Sequence, residues 1–226
     1  MNKMDCVAIV SGGMDSVTLL HYLVKHEHLA PAVITYQYGQ KHAREIECAQ
    51  YNVAALGCPD HRIVDLTDLA YLFATSALVG KSVSIPTIED VQGNPQPATY
   101  VPNRNMIFLS LAAAYAESVG VNRVYYGAQA HDLYGYWDTT PDFLRRLNAV
   151  FLLNRGTPIR IEAPFVHRSK TEVLRTGLEL GVDYAHTWSC YVGGEVACGR
   201  CPTCAERLKA FAEVGIADPL PYQLPA

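Results

Sequence analysis

The chain has 226 residues, half of them hydrophobic, which supports one large domain, or one domain and a small appendage, without disulfide staples. Its 22 acidic and 18 basic residues leave a net charge of −4 with no Lys/Arg run, so a small-molecule substrate is expected rather than a nucleic-acid backbone. Met1 to Asp5 are polar, and no apolar run approaches the roughly 18 residues that a membrane span needs, so no membrane partner and a cytoplasmic location are expected.

Cys6 to Val10 is an apolar strand that runs into Ser11, Gly12, Gly13, Met14, Asp15 and Ser16, and Val17 to Val24 continues in a helical pattern. Ala32 to Tyr38, rich in Val, Ile, Thr and Tyr, reads as a second strand and closes a βαβ unit. His42 to Leu56 is an amphipathic helix ending at Gly57, and Arg62 to Asp65 is a short third strand. Leu66 to Val101 is too long for a plain connection and carries Gly80, Pro86, Gly93, Pro95 and Pro97, so it is a candidate lid or substrate loop. Met106 to Val119 is apolar almost all round, which predicts a buried helix stopped by Gly120. Val124 to Gly127 is the next strand; a helix from about Asp142 to Leu153, a strand from Ile159 to Glu162 and a helix from Lys170 to Leu180 follow. Ser169 and Glu172 form a capping box for that last helix, and Gly181 stands where a terminating glycine belongs. The alternation predicts an α/β fold, a Rossmann-like parallel sheet with helices on both faces and its ligand at the carboxyl ends of the strands.

The stretch Ser11 to Ser16 is built to receive phosphate. Paired glycines can take positive φ and bring backbone N–H groups onto an anion, with the hydroxyls of Ser11 and Ser16 beside a helix N-terminus. It is neither a Walker loop, since no Lys follows the glycines, nor a G-x-G-x-x-G dinucleotide fingerprint. S-G-G-M-D-S at the end of a first strand instead resembles the PP-loop of ATP pyrophosphatases, which hold ATP while a nucleophile attacks its α-phosphate. That resemblance implies a PP-loop ATPase type of fold and an ATP site made by Val10, Ser11, Gly12, Gly13, Met14, Asp15, Ser16, Val17 and Thr18, with Gln40 and His42 after the second strand.

Of seven cysteines, Cys190, Cys198, Cys201 and Cys204 fall within fifteen residues, while Cys6, Cys48 and Cys58 are scattered and are given no role. Such clustering in a cytosolic enzyme indicates a metal. Four thiolates predict a closed, structural Zn²⁺ site; an iron–sulfur cluster is the rival, disfavoured because one cysteine lies upstream and no Cys-Pro follows at ferredoxin spacing. The expected division is an α/β nucleotide-binding domain over 1–185 and a helical zinc-binding module over 186–226 packed on it.

Further strings carry a resemblance nearly end to end: Y-G-Q-K-H at Tyr38 to His42 with Glu45, Y-V-P-N-R-N at Tyr100 to Asn105, Y-G-A-Q-A-H-D at Tyr126 to Asp132, S-K-T-E at Ser169 to Glu172, and T-W-S-C-Y-V-G-G-E at Thr187 to Glu195. In this order they resemble the 7-cyano-7-deazaguanine synthase family. The resemblance implies a ligase that adenylates 7-carboxy-7-deazaguanine with ATP, lets ammonia displace AMP to give an amide, and activates the amide again for dehydration to the nitrile. It also implies a homodimer and Mg²⁺ travelling with ATP. Asp15 would help hold Mg²⁺ or order the loop, the alternative being plain N-capping, and Lys170 and Arg104 would meet phosphate or carboxylate charge. For Arg104 a buried structural ion pair is the competing explanation. Gln129, His131, Asp132 and Trp188 are the candidate substrate residues, with core packing as the alternative for Trp188. The family's usual P-D-C-R-P stretch reads Trp137, Asp138, Thr139, Thr140, Pro141 here, so an Arg is missing at Thr140, and a different carboxylate or a protein terminus as acceptor, or a tRNA-modifying relative, are the alternatives.

Overall fold

A computed structural model describes residues 3–41, 44–80, 82–91, 94, 96–129 and 136–223. Five strands, β1 (Cys6–Ile9), β2 (Pro31–Gln37), β3 (Asp60–Asp65), β4 (Arg123–Tyr125) and β5 (Arg160–Glu162), form one parallel sheet in the order β3-β2-β1-β4-β5. The chain winds outward from β1 to β3, then returns to the other side of β1 for β4 and β5. That reversal opens a crevice at the carboxyl ends of β1 and β4, where the phosphate loop lies.

Alternation along the strands divides the core into two layers. Val7, Ala32, Ile34 and Tyr36 face one side, under α4 (Arg104–Ser118) and α5 (Pro141–Phe151). Cys6, Ala8 and Val33 face the other, under α1 (Met14–His21), α2 (Arg44–Ala55), α6 (Lys170–Glu179) and α7 (Pro202–Val214). A third cluster gathers Trp188, the four clustered cysteines, Cys48, Ala197 and Leu220. The capping box at Ser169 and Glu172 forms, and Gly181 takes a φ of +68° after α6.

Three expectations change. The first helix begins at Met14, so Met14, Asp15 and Ser16 form its first turn and only Ser11, Gly12 and Gly13 are loop; a π-helical turn, Tyr22–His26, continues it. α4 buries Phe108, Leu109, Ala112, Ala113 and Ala116, yet leaves Ser110, Leu111 and Ala114 exposed, because helices cover each face of the sheet in a single layer. The stretch 66–101 holds a 3₁₀ segment, Thr67–Phe73, and a short helix, α3 (Ile88–Val91). Phe73, Ala77, Leu78, Val91 and Val101 anchor it in the interior, and none of its described residues borders the crevice.

Candidate active site

Gly12 turns the chain with a φ of +96°, and a Cβ there would lie 1.9 Å from the Glu45 carbonyl oxygen of α2. Only this first glycine needs its freedom; Gly13 sits at φ −73° as the N-cap of α1, and a Cβ there would make ordinary contacts, the nearest 3.4 Å away. The N–H groups of Ser11 and Gly12 both point at Ser16 Oγ, at 3.1 and 3.3 Å, and Gly13 N donates to Ser11 Oγ at 3.2 Å. Donors that converge on one oxygen form a cradle around Ser16 Oγ. Gly13 offers no side-chain cap, so the first N–H groups of α1 add the positive end of the helix dipole.

Asp15, being in the first turn of α1, is not the N-cap. It accepts from Lys170 Nζ at 2.6 Å and from Gln129 Nε2 at 3.3 Å, joining α1, the start of α6 and the segment after β4. Gly127 permits this approach, since a Cβ there would stand 3.2 Å from the backbone of Asp15 and Ser16. Arg104, the first residue of α4, is half-buried and donates to Tyr38 Oη at 3.4 Å. Among the described residues no carboxylate lies within ion-pair distance of it. Asp138, behind it, accepts from Asn105 N and is buried; burial pushes its carboxyl up against the opposing pull of Arg104.

These groups enclose a cavity of about 250 Å³. Val10, Ser11, Gly13, Met14, Asp15, Ser16, Gln40, Arg104, Gln129, Lys170 and Trp188 border it. Gly12 lies behind the wall, and Val17 and Thr18 point into the core, Thr18 sharing a hydrogen bond of 2.8 Å with Tyr184 Oη. Gln40 spends its amide on the end of β2, accepting from Tyr38 N and donating to the Tyr36 carbonyl. Trp188 is fully buried, its indole bonded to the Cys190 carbonyl and its ring covered by the Arg44 guanidinium 4.6 Å away, so its ring packs and is closed to a stacking ligand. His42, His131 and Asp132 lie outside the described residues.

Sequence reasoning missed an aromatic wall of Tyr36, Tyr38, Phe108, Tyr126, Tyr136 and Tyr191, and a floor from α7 with Thr203, Glu206 and Arg207. Tyr36 stacks on Phe108 at 4.1 Å, and Arg207 is fixed by two bonds to Asp218 at 2.7 and 2.9 Å. The strand tyrosines carried a signal in their period-2 spacing; the α7 residues carried none.

The sulfur atoms of Cys190, Cys198, Cys201 and Cys204 all lie within 4.8 Å of one another, and each is buried. A tetrahedron with metal–sulfur bonds of about 2.3 Å has sulfur–sulfur edges of roughly 3.8 Å; Cys198 and Cys204 stand 4.0 Å apart. The donor set therefore fits a tetrahedral thiophilic metal. Hydrogen bonds from Cys190 and Cys204 draw the Cys201 thiol far below its usual range, and in return Cys190 is pushed up to about 11 and Cys204 higher still. Cys190, Cys201 and Cys204, competing for one thiolate, suit a cation that stabilises them together.

The profile of the family described as queuosine biosynthesis protein QueC matches residues 5–215. The chain belongs to this family. It is 45% identical over 225 residues to the 7-cyano-7-deazaguanine synthase of Caldicellulosiruptor saccharolyticus, covering 98% of this chain and 96% of the relative. The enzymes of the same name from Chromohalobacter salexigens and Methanoregula boonei are each 44% identical, covering 96% and 97% of this chain and 85% and 100% of theirs. Among solved structures, the U34-tRNA thiolase NcsA from Methanococcus maripaludis superposes with a TM-score of 0.50 at 15% identity, over 80% of this chain and 58% of that one, a likeness of fold. Among the described residues no helix is long and apolar enough to cross a membrane.

Proposed function

We propose that this QueC-family chain converts 7-carboxy-7-deazaguanine, ATP and ammonia to 7-cyano-7-deazaguanine through adenylated acid and amide intermediates. One observation carries the reading: in a chain of this family, the Ser11 to Ser16 cradle, Lys170 and Arg104 border a single cavity at the sheet's crevice. A carboxylate is a poor electrophile, so its oxygen must first be made a leaving group. The cradle N–H groups and the hydroxyls of Ser11 and Ser16 receive the phosphate chain. Lys170, held in place by Asp15, meets the negative charge that develops on departing pyrophosphate. A Mg²⁺ bound with ATP would supply further neutralisation, with the carboxylates of Asp15 and Glu45 both bordering the same cavity as the cradle.

Across the cavity, Arg104 binds the carboxylate of the acceptor, and the aromatic wall receives its flat ring. Thr140 plays no part in that recognition, because it caps α5 by accepting from Phe143 N, while Thr139 borders the cavity. Gln129 orients Asp15, and His131 and Asp132, next but one and next but two in the sequence, are assigned to the acceptor. The module over 186–226 carries a structural zinc ion on its four cysteines, and the enzyme works in the cytoplasm as a homodimer on free ammonia.

Protein, ATP, Mg²⁺, ammonium and 7-carboxy-7-deazaguanine should give AMP and pyrophosphate in proportion to a nitrile product identified by mass. AMP formed only with another acceptor would refute the substrate; no AMP with any carboxylate would refute the chemistry. Metal analysis with an absorbance spectrum decides zinc against iron, which absorbs in the visible as a sulfur cluster.

A further inference from the structure

The four-cysteine cluster and the phosphate loop meet in one short piece of chain. Trp188 N donates at 3.0 Å to the carbonyl of Gly12, the glycine whose positive φ forms the cradle. The same residue's Nε1 donates at 3.0 Å to the carbonyl of Cys190, two positions on, which fixes the turn between the loop contact and the first cluster sulfur. From the other side Thr203, lying between Cys201 and Cys204 in α7, donates at 2.6 Å to the Ser189 carbonyl. Ser189, Tyr191 and Thr203 also border the cavity. A shift of Cys190 against Cys201 and Cys204 therefore moves one cavity wall and the anchor of Gly12 together. None of the four cysteines belongs to the two large sheet-side cores; they gather with Trp188 in a cluster of their own.

We propose that metal on the four-cysteine cluster and nucleotide in the cradle are thermodynamically coupled through Trp188, a positioning residue, each tightening the binding of the other. The inference rests on the cradle being a nucleotide site. Coupling is reciprocal, so one factor must appear in both affinities, and such factors commonly run from about 5 to 150.

The test uses the full-length, zinc-loaded protein and α,β-methylene-ATP with Mg²⁺. Zinc affinity is measured by chelator competition with and without saturating analogue, and analogue Kd is measured on loaded and chelator-stripped protein that retains its far-UV circular dichroism. The expected result is the same factor, about tenfold, in both measurements. Trp188→Phe keeps the ring and the backbone N–H but loses the bond to Cys190; it should bring the factor toward one while zinc content and fold persist. Thr203→Val, which removes the bond to Ser189 together with the 3.5 Å contact to Cys201 Sγ, provides the second variant if Trp188→Phe does not fold, its factor being read against its own zinc affinity without analogue. Zinc affinity that ignores the analogue overturns the inference, as does a factor that survives in the variant; if stripping unfolds the chain, the zinc-affinity measurement decides alone. Analogue binding without zinc dependence defeats only this inference, whereas no analogue binding by loaded protein defeats the functional reading with it.

Discussion

Gly12 and Gly13 are adjacent and chemically identical, yet the structure assigns them different responses to a single methyl group. At Gly12 the φ of +96° is strained for alanine by roughly 1–2 kcal/mol. The new Cβ would also stand 1.9 Å from the Glu45 carbonyl oxygen and 2.9 Å from Ala49 N, all backbone of α2, which cannot swing aside as a flexible side chain would. Overpacking of this kind adds about 1–3 kcal/mol, for a total of about 2–5 kcal/mol. At Gly13 the φ of −73° suits alanine, and the nearest atom to a Cβ, Ser11 Oγ, is 3.4 Å away. There the reduced freedom of the unfolded chain, about 0.4–1 kcal/mol, offsets the weaker N-cap that alanine makes in place of glycine. With about 2–4 °C per kcal/mol for a chain of this size, Gly12→Ala should lower the melting temperature by about 4–20 °C. Gly13→Ala should leave it nearly unchanged, while its methyl group, facing the cavity, weakens nucleotide binding. Calorimetric melting of both variants is the assay. Equal melting temperatures would refute the argument that the turn is set by the approach of α2.

Asp218→Ala leaves Arg207 buried without its partner, since both side chains are almost fully enclosed, and should cost about 3–5 kcal/mol in denaturant unfolding; a loss under 1 kcal/mol would contradict the burial. Lys170→Met should raise the Kd for ATP at least about tenfold, one charge-assisted contact of roughly 1.5 kcal/mol, yet change stability by under about 1 kcal/mol because its ion pair with Asp15 is partly exposed. His21 is held below its usual range by burial, its Nε2 bonded to Asn52 Oδ1, and His61 is likewise lowered by burial. The unfolded chain therefore binds more protons below pH of about 6.5, and stability that is complete above that value should decline as pH falls through the folded values. Unfolding midpoints between pH 8 and 5 measure the slope, which His21→Gln should flatten; an unaltered slope would show that the histidine is not buried neutral.

The phosphate cradle was legible because its residues are consecutive, and a loop between strand and helix needs no distant partner to be recognised. The cysteine cluster was legible for the same reason: Cys198, Cys201 and Cys204 are close in sequence, and thiols gathered on so short a chain have few places to go. Lys170 was a plausible phosphate ligand from its own string, but nothing local revealed that Asp15, 155 residues away, would hold it. Gly127 looked like the end of a strand, and its importance exists only against the backbone of α1. For Trp188 the sequence leaves stacking on substrate and core packing both open; that its ring is covered by Arg44 follows from where α2 lies.

Local chemistry by itself determined the alternating strands and helices, the anion cradle and the thiol cluster, since each depends on residues within a turn or two of one another. The tertiary structure alone decided which of these share a cavity, because the order β3-β2-β1-β4-β5 brings the ends of β1 and β4 side by side and folds α7 beneath them. Contacts between elements more than a hundred residues apart are fixed by packing and by the satisfaction of buried polar groups, and these forces leave no periodic trace in the chain.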